Sequence, residues 1–77
     1  MKPTNPEDPN LPVWLDDEAC PVSCTEKVKV LNENYRELRQ LAQDTLEDGV
    51  LMGCSEAQLR ELFHELIDSL KTDYGNR

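Results

Sequence analysis

The chain has 77 residues, a hydrophobic content of 38% and a net charge of −8 at pH 7. Its length limits it to one small domain, whose core rarely contributes more than about 3–5 kcal/mol of stability. The negative charge repels phosphate groups, so direct binding to nucleic acid or to a membrane surface is not expected, and a protein partner with a basic surface is favoured.

Residues 1–22 form an acidic segment that contains all five prolines of the chain. Pro3, Pro6, Pro9 and Pro12 recur at every third position. Proline disfavours helix, and this spacing is typical of an extended, polyproline-like conformation. We therefore predict an extended acidic Pro-rich tail over residues 1–22.

A first amphipathic helix is predicted over residues 23–48. Ser23 and Glu26 have the spacing of a capping box at its start, and Gly49 can adopt the left-handed conformation that ends many helices. Apolar residues recur between these ends at spacings of three or four, which is the periodicity of one helical face. They are Val28, Leu31, Tyr35, Leu38, Ala42 and Leu46.

A second helix is predicted over residues 55–72. Ser55 and Gln58 again have capping-box spacing. The apolar residues that follow define an arc about 140° wide on a helix of 100° per residue. They are Leu59, Leu62, Phe63, Leu66, Ile67 and Leu70.

The predicted fold class is all-α. Two helices joined by a short connection pack antiparallel, which gives a two-helix hairpin over residues 23–73 and a frayed C-terminus over residues 74–77. Two such hairpins can pair into a four-helix bundle, so a homodimer is one alternative for the assembled protein.

The first helix carries more apolar surface than one neighbouring helix can cover. Val30 and Leu41 lie roughly 100–120° around the helix from the main apolar stripe. Three alternatives remain open for what covers Val30 and Leu41: the chain's own apolar patch at residues 11–15, a second copy of the protein, or a different protein.

The leading functional hypothesis is a small acidic protein-interaction module, that is, an accessory, adaptor or regulatory protein. Apolar residues would anchor the partner while the carboxylates steer it. Trp14 is the expected main anchor, since buried tryptophans often dominate interfaces. The candidate partner-binding residues are Leu11, Val13, Trp14, Leu15, Val30 and Leu41. Mimicry of nucleic acid by rows of carboxylates is a weaker alternative, because basic residues interrupt the acidic surface of the first helix.

Cys20, Cys24, Cys54 and His64 are of the residue types that bind zinc as Cys3His. However, a first helix of about 25 residues would place Cys24 and Cys54 roughly 35 Å apart. We therefore predict no metal or other cofactor, and expect Cys24 and Cys54 to pack as small apolar residues. The alternative function is a metal- or redox-responsive regulator that uses Cys20, Cys24 and Cys54.

Catalysis is not expected, because no nucleophile motif, phosphate-binding loop or metalloprotease motif is present. The surface pair His64 and Asp68 lacks both a nucleophile and a concave site. No apolar run approaches the roughly 20 residues that span a bilayer. The first residues also lack the apolar core of a signal peptide, so the expected location is cytoplasmic.

Overall fold

A computed structural model of the chain describes residues 2–74. It contains two helices in this range: α1 spans Thr25–Leu51 and α2 spans Glu56–Ser69. The described residues form no β-strand, although an isolated bridge pairs Leu15 with Pro21. The prediction of an all-α helical hairpin is confirmed. Neither described helix combines the length and the apolarity needed to cross a membrane.

The chain divides into two compact units, Met1–Gln40 and Leu41–Arg77, and α1 contributes to both. The buried side chains of the described residues all belong to the first unit, and they are Asn5, Val28 and Asn32. In the described part of the second unit no residue is buried. The first unit therefore holds a small, partly polar core, whereas the second unit consists of two helices with half-buried contacts only.

Helix α1 begins at Thr25, two residues later than predicted. The Val28 N–H donates to the Cys24 carbonyl (3.0 Å), so Cys24 rather than Ser23 lies at the helix start. The Val22 N–H donates to the Trp14 carbonyl (2.8 Å), and this bond holds the preceding residues in the bridge to the N-terminal segment. The helix cannot start until the chain has left that bridge, which is why the predicted capping box at Ser23 is wrong.

Helix α1 ends at Leu51 rather than at residue 48, and the left-handed cap is Gly53 (φ 95°), not Gly49. The Cys54 N–H donates to the Gly49 carbonyl (2.9 Å), and the Gly53 N–H donates to the Val50 carbonyl (3.0 Å). These two bonds form a Schellman motif, which satisfies carbonyls that the helix end would leave unpaired.

Gly53→Ala is expected to lower the free energy of unfolding by about 1 kcal/mol, because an L side chain is strained at positive φ. A Cβ at this position has no neighbour within 4 Å, so the loss would be conformational rather than steric. Gly53→Asn should cost less, since asparagine tolerates this backbone conformation better. Urea unfolding followed by circular dichroism would measure both. Equal stability of G53A and wild type would contradict the assignment of Gly53 as the cap.

Gly49 lies inside α1 and permits a close approach of α2. A Cβ built on Gly49 would lie 2.7 Å from Leu59 Cδ1, which is shorter than van der Waals contact. Gly49 and Leu59 are both half-buried, as are Ala42, Leu46 and Phe63 in the same unit. Gly49 thus serves helix packing in place of the capping role predicted for it.

Helix α2 begins as predicted at the Ser55 cap. The Ser55 hydroxyl accepts a hydrogen bond from the Gln58 N–H (3.2 Å). The helix ends at Ser69 instead of residue 72, where the Ser69 hydroxyl donates to the Leu66 carbonyl (2.7 Å) and Leu70 is extended (ψ 144°). Such side-chain bonds compete with continued helix. Of the predicted frayed C-terminus, residues 75–77 lie outside the described range.

Residues 2–22 differ from the extended tail predicted, because the chain turns twice. The Leu11 N–H donates to the Asp8 carbonyl (3.0 Å), which closes a first turn. The second turn returns the chain from Leu15 to Pro21. Proline spacing favours extension locally, but hydrogen bonds with α1 and within these turns decide the path of the segment.

Candidate protein-interaction surface

The N-terminal segment is fastened to α1 by two asparagines. Asn32 is 0% exposed and Asn5 is 3% exposed. Asn5 Nδ2 donates to Asn32 Oδ1 (2.7 Å), and Asn32 Nδ2 donates back to Asn5 Oδ1 (3.0 Å). We call Asn5, Glu7, Trp14 and Asn32 the asparagine cluster. Its reciprocal amide pair joins residues that are 27 positions apart.

The buried polar atoms of the asparagine cluster all form hydrogen bonds. Asn5 Nδ2 also donates to the Pro12 carbonyl (2.8 Å), and Asn32 Nδ2 also donates to Glu7 Oε1 (2.7 Å). Trp14 Nε1 donates to Asn32 Oδ1 (2.8 Å). Within residues 2–74 no buried side-chain nitrogen or oxygen lacks a partner. Buried amides are costly unless paired, so this complete pairing specifies one position of the N-terminal segment on α1.

Two further contacts hold the N-terminal segment. The Trp14 ring meets the Tyr35 ring edge-on, with centroids 5.7 Å apart and an interplanar angle of 76°. Asp8 forms an ion pair with Arg36 (3.7 Å), which is partly exposed and therefore weak. The aromatic contact adds about 0.5–1.5 kcal/mol beyond its buried area.

These contacts divide the six predicted partner-binding residues into two groups. The first group is half-buried within the first unit and consists of Leu11, Val13 and Trp14. The second group is exposed and consists of Leu15, Val30 and Leu41. Trp14 contacts Tyr35 and Asn32, and Val30 remains 53% exposed. Within the first unit, the apolar patch therefore leaves Val30 exposed, and coverage of Val30 by this patch was part of one of the three alternatives.

Leu15 stands at the base of an acidic loop. The Asp16 carboxylate accepts hydrogen bonds from the N–H groups of Glu18 and Cys20 (both 2.9 Å), which closes the loop. Ala19 adopts a positive φ of 62° within it. Leu15 is 55% exposed, so the loop presents an apolar side chain next to carboxylates.

Val30 on α1 has the same combination of an apolar side chain and carboxylates. It is 53% exposed. Of the positions three, four and seven residues away, which share its face of the helix, three hold carboxylates (Glu26, Glu33 and Glu37) and one holds the basic Lys27. Lys27 and Leu31 line a shallow groove together with Val30. The surface thus offers an apolar anchor beside three carboxylates.

Leu41 is 65% exposed and belongs to the second unit. Asp44 and Asp48, three and seven residues further along α1, share its face of the helix. Its surroundings therefore repeat those of Val30.

No metal-holding group includes the cysteines or His64 within the part of the chain that the structure describes. Cys20, Cys24 and Cys54 are free and exposed, so the prediction that Cys24 and Cys54 pack as apolar residues is wrong. Cys24 lies at the start of α1 and Cys54 follows the cap of α1, and both positions are exposed. His64 is exposed on α2. Among residues 2–74, no group of three or more His, Cys, Asp or Glu side chains could hold a metal ion.

Sequence reasoning missed Asn5 and Asn32, on which the N-terminal segment depends. A signal was present: Asn32 lies four residues after Val28 and three before Tyr35, so it interrupts an apolar helical face. A polar residue at such a position needs a buried partner. No comparable signal marks Asn5, which lies among prolines and other polar residues.

Comparisons of the chain with protein-family models, curated proteins and solved structures find no match.

Proposed function

We propose that this chain is a non-catalytic, cytoplasmic protein-interaction module that binds a partner with a basic surface. Its role would be that of an accessory, adaptor or regulatory protein. In the first unit, Val30 and Leu15 would provide the apolar anchors, and the neighbouring carboxylates would steer the partner. Leu41 would be a separate anchor in the second unit.

The observation that supports this proposal best is the exposure of Val30 beside Glu26, Glu33 and Glu37. A solvent-exposed valine is ordinary by itself. Here it is part of a wider excess: thirteen large apolar side chains are exposed in the described residues, against one buried apolar side chain, Val28. Exposed apolar side chains that adjoin one another, as Val30 and Leu31 do along one groove, are typical of surfaces that bind other proteins.

The N-terminal segment supports this function indirectly. Three half-buried residues hold the N-terminal segment in place within the first unit: Leu11, Val13 and Trp14. They would thereby preorganise the acidic loop at Leu15. A preorganised loop loses less conformational entropy on binding than a free tail would. Trp14 therefore positions the surface instead of inserting into the partner.

The proposal can be tested by capture from a native extract on immobilised protein at low (about 50 mM) and high (about 300 mM) salt. Proteins that depend on this surface should bind wild type more strongly at low salt. Val30→Ser should weaken their binding about 10-fold or more, because it removes an apolar anchor. Glu33→Lys should weaken binding through repulsion of a basic partner.

Glu61→Lys is the matched control, since it changes the net charge equally but lies on α2. It should retain the proteins that V30S and E33K lose. Circular dichroism would verify that all variants remain helical. If the bound proteins are the same for wild type, V30S and E33K, the proposed surface is incorrect.

A further inference from the structure

The turn between α1 and α2 presents two apolar side chains almost entirely to solvent. Leu51 is 84% exposed and Met52 is 82% exposed, the two highest values among the large apolar residues of the described chain. The Met52 N–H donates to the Asp48 carbonyl (3.0 Å), and the Schellman motif at Gly53 closes the turn. Backbone hydrogen bonds therefore fix the turn, and both side chains remain in solvent.

A groove of about 450 Å³ adjoins this turn within the second unit, and residues of both helices line it. Three apolar and three charged residues are among its lining. They are Leu46, Val50, Leu51, Glu47, Glu56 and Arg60. We call the groove together with Leu51 and Met52 the hairpin tip. Anchor side chains at protein interfaces fill pockets of this kind, so the hairpin tip can accept an apolar side chain from a partner.

The charges around the hairpin tip are mainly negative. Leu51 is the last residue of α1, and the positions three, four and seven residues before it share its face of the helix. All three positions hold carboxylates: Asp48, Glu47 and Asp44. Arg60 is the one basic residue that lines the groove in the described chain, and its Nε donates to Glu56 Oε2 (3.0 Å). The cation at the hairpin tip is therefore already paired, and the carboxylates outnumber it.

We propose that the hairpin tip binds a basic segment of another protein. The segment would insert an apolar side chain into the groove and place lysine or arginine side chains beside Glu47 and Asp48. Charge complementarity selects this occupant, because opposite charges attract across an interface. A second copy would bring the same carboxylates and a net charge of −8, and an anionic membrane would also be repelled. The hairpin tip belongs to the second unit, so this site is separate from the Val30 surface.

NMR titration of the full isotope-labelled chain, in reductant, would locate the contact on wild type without depending on the folding of a variant. The probe is a synthetic amphipathic peptide of about 14 residues, built from leucine and lysine at helical spacing. The backbone amides of residues 50–56 should shift, because they form the turn and part of the groove. A peptide with glutamate in place of lysine should not bind, because the carboxylates repel it.

Leu51→Ser should raise the dissociation constant of the lysine peptide at least about 10-fold, because it removes an apolar side chain that lines the groove. Leu70→Ser is the matched control, since Leu70 is also an exposed leucine of the second unit but does not line the groove. It should change the constant less than about 2-fold. Val30→Ser should leave the shifts of residues 50–56 unchanged, so the two proposals can fail separately. Circular dichroism would verify that the variants remain helical.

The following results would overturn this site. They are no shift of residues 50–56 up to about 1 mM peptide, equal effects of L51S and L70S on binding, and shifts confined to the surroundings of Val30. Shifts of residues 50–56 that depend on protein concentration without peptide would assign the hairpin tip to a second copy instead. Binding of wild type to phosphatidylcholine vesicles, if L51S abolished it, would assign the hairpin tip to a lipid surface instead.

Discussion

Replacing Asn32 with aspartate is expected to release the N-terminal segment from α1 and to lower the free energy of unfolding by about 2–4 kcal/mol. The two side chains have the same shape, so packing is preserved, but the Nδ2 donor becomes an oxygen. That donor bonds Asn5 Oδ1 (3.0 Å) and Glu7 Oε1 (2.7 Å). A buried carboxylate would then face a carbonyl oxygen and a second carboxylate, with no donor between them.

Urea unfolding would measure this loss with two probes. The fluorescence of Trp14, the single tryptophan of the chain, reports on the N-terminal segment, and circular dichroism reports on the helices. N32D should also shift the tryptophan emission to longer wavelength before the helices unfold, because the segment leaves α1 first and exposes the indole to water.

Asn34→Asp provides the control for N32D. It makes the same chemical change on the same helix, but Asn34 is exposed. Its effect should stay within about 0.5 kcal/mol, as for most surface substitutions. If N32D and N34D have equal stability and equal tryptophan emission, the asparagine cluster does not hold the N-terminal segment.

Replacing Trp14 with alanine is expected to lower the free energy of unfolding by about 2–4 kcal/mol, since the indole packs half-buried on the first unit. Trp14→Phe should cost less, about 1–2 kcal/mol. It removes the Nε1 donor to Asn32 Oδ1 (2.8 Å) but retains a ring that can meet the Tyr35 edge. Thermal and urea unfolding followed by circular dichroism would rank wild type, W14F and W14A in this order.

Tyr74→Ala is a suitable control for the Trp14 variants, because Tyr74 is an exposed aromatic residue. It should change stability by less than about 0.5 kcal/mol. The structural role of Trp14 would be refuted if W14A kept wild-type stability and lost partner binding. That result would restore Trp14 as the main anchor for a partner.

Local patterns predicted the helices well where their ends depend on nearby residues. The Ser55 cap of α2 is an example, since its hydroxyl bonds the Gln58 N–H three residues on. The end of α1 was predicted wrongly at Gly49, because the helix continues to Leu51 and Gly53 takes the left-handed cap. The glycine at position 49 is instead explained by Leu59, which occupies the space where a Cβ would lie.

The candidate surface was predicted in part. Val30 and Leu41 were singled out as excess apolar positions on α1, and both are exposed. Trp14 was predicted as an anchor from residue type alone, and residue type cannot distinguish a tryptophan that packs on its own chain from one that binds another.

The sequence by itself determined the all-α class, the acidic charge and the apolar faces of both helices. These properties depend on composition and on spacings of three or four residues, which act within one or two helical turns. Only the tertiary structure decided the path of the N-terminal segment and which apolar side chains it covers. That decision depends on the pairing of Asn5 with Asn32 across 27 residues, and a polar side chain gives no sign in the sequence that its partner lies so far along the chain.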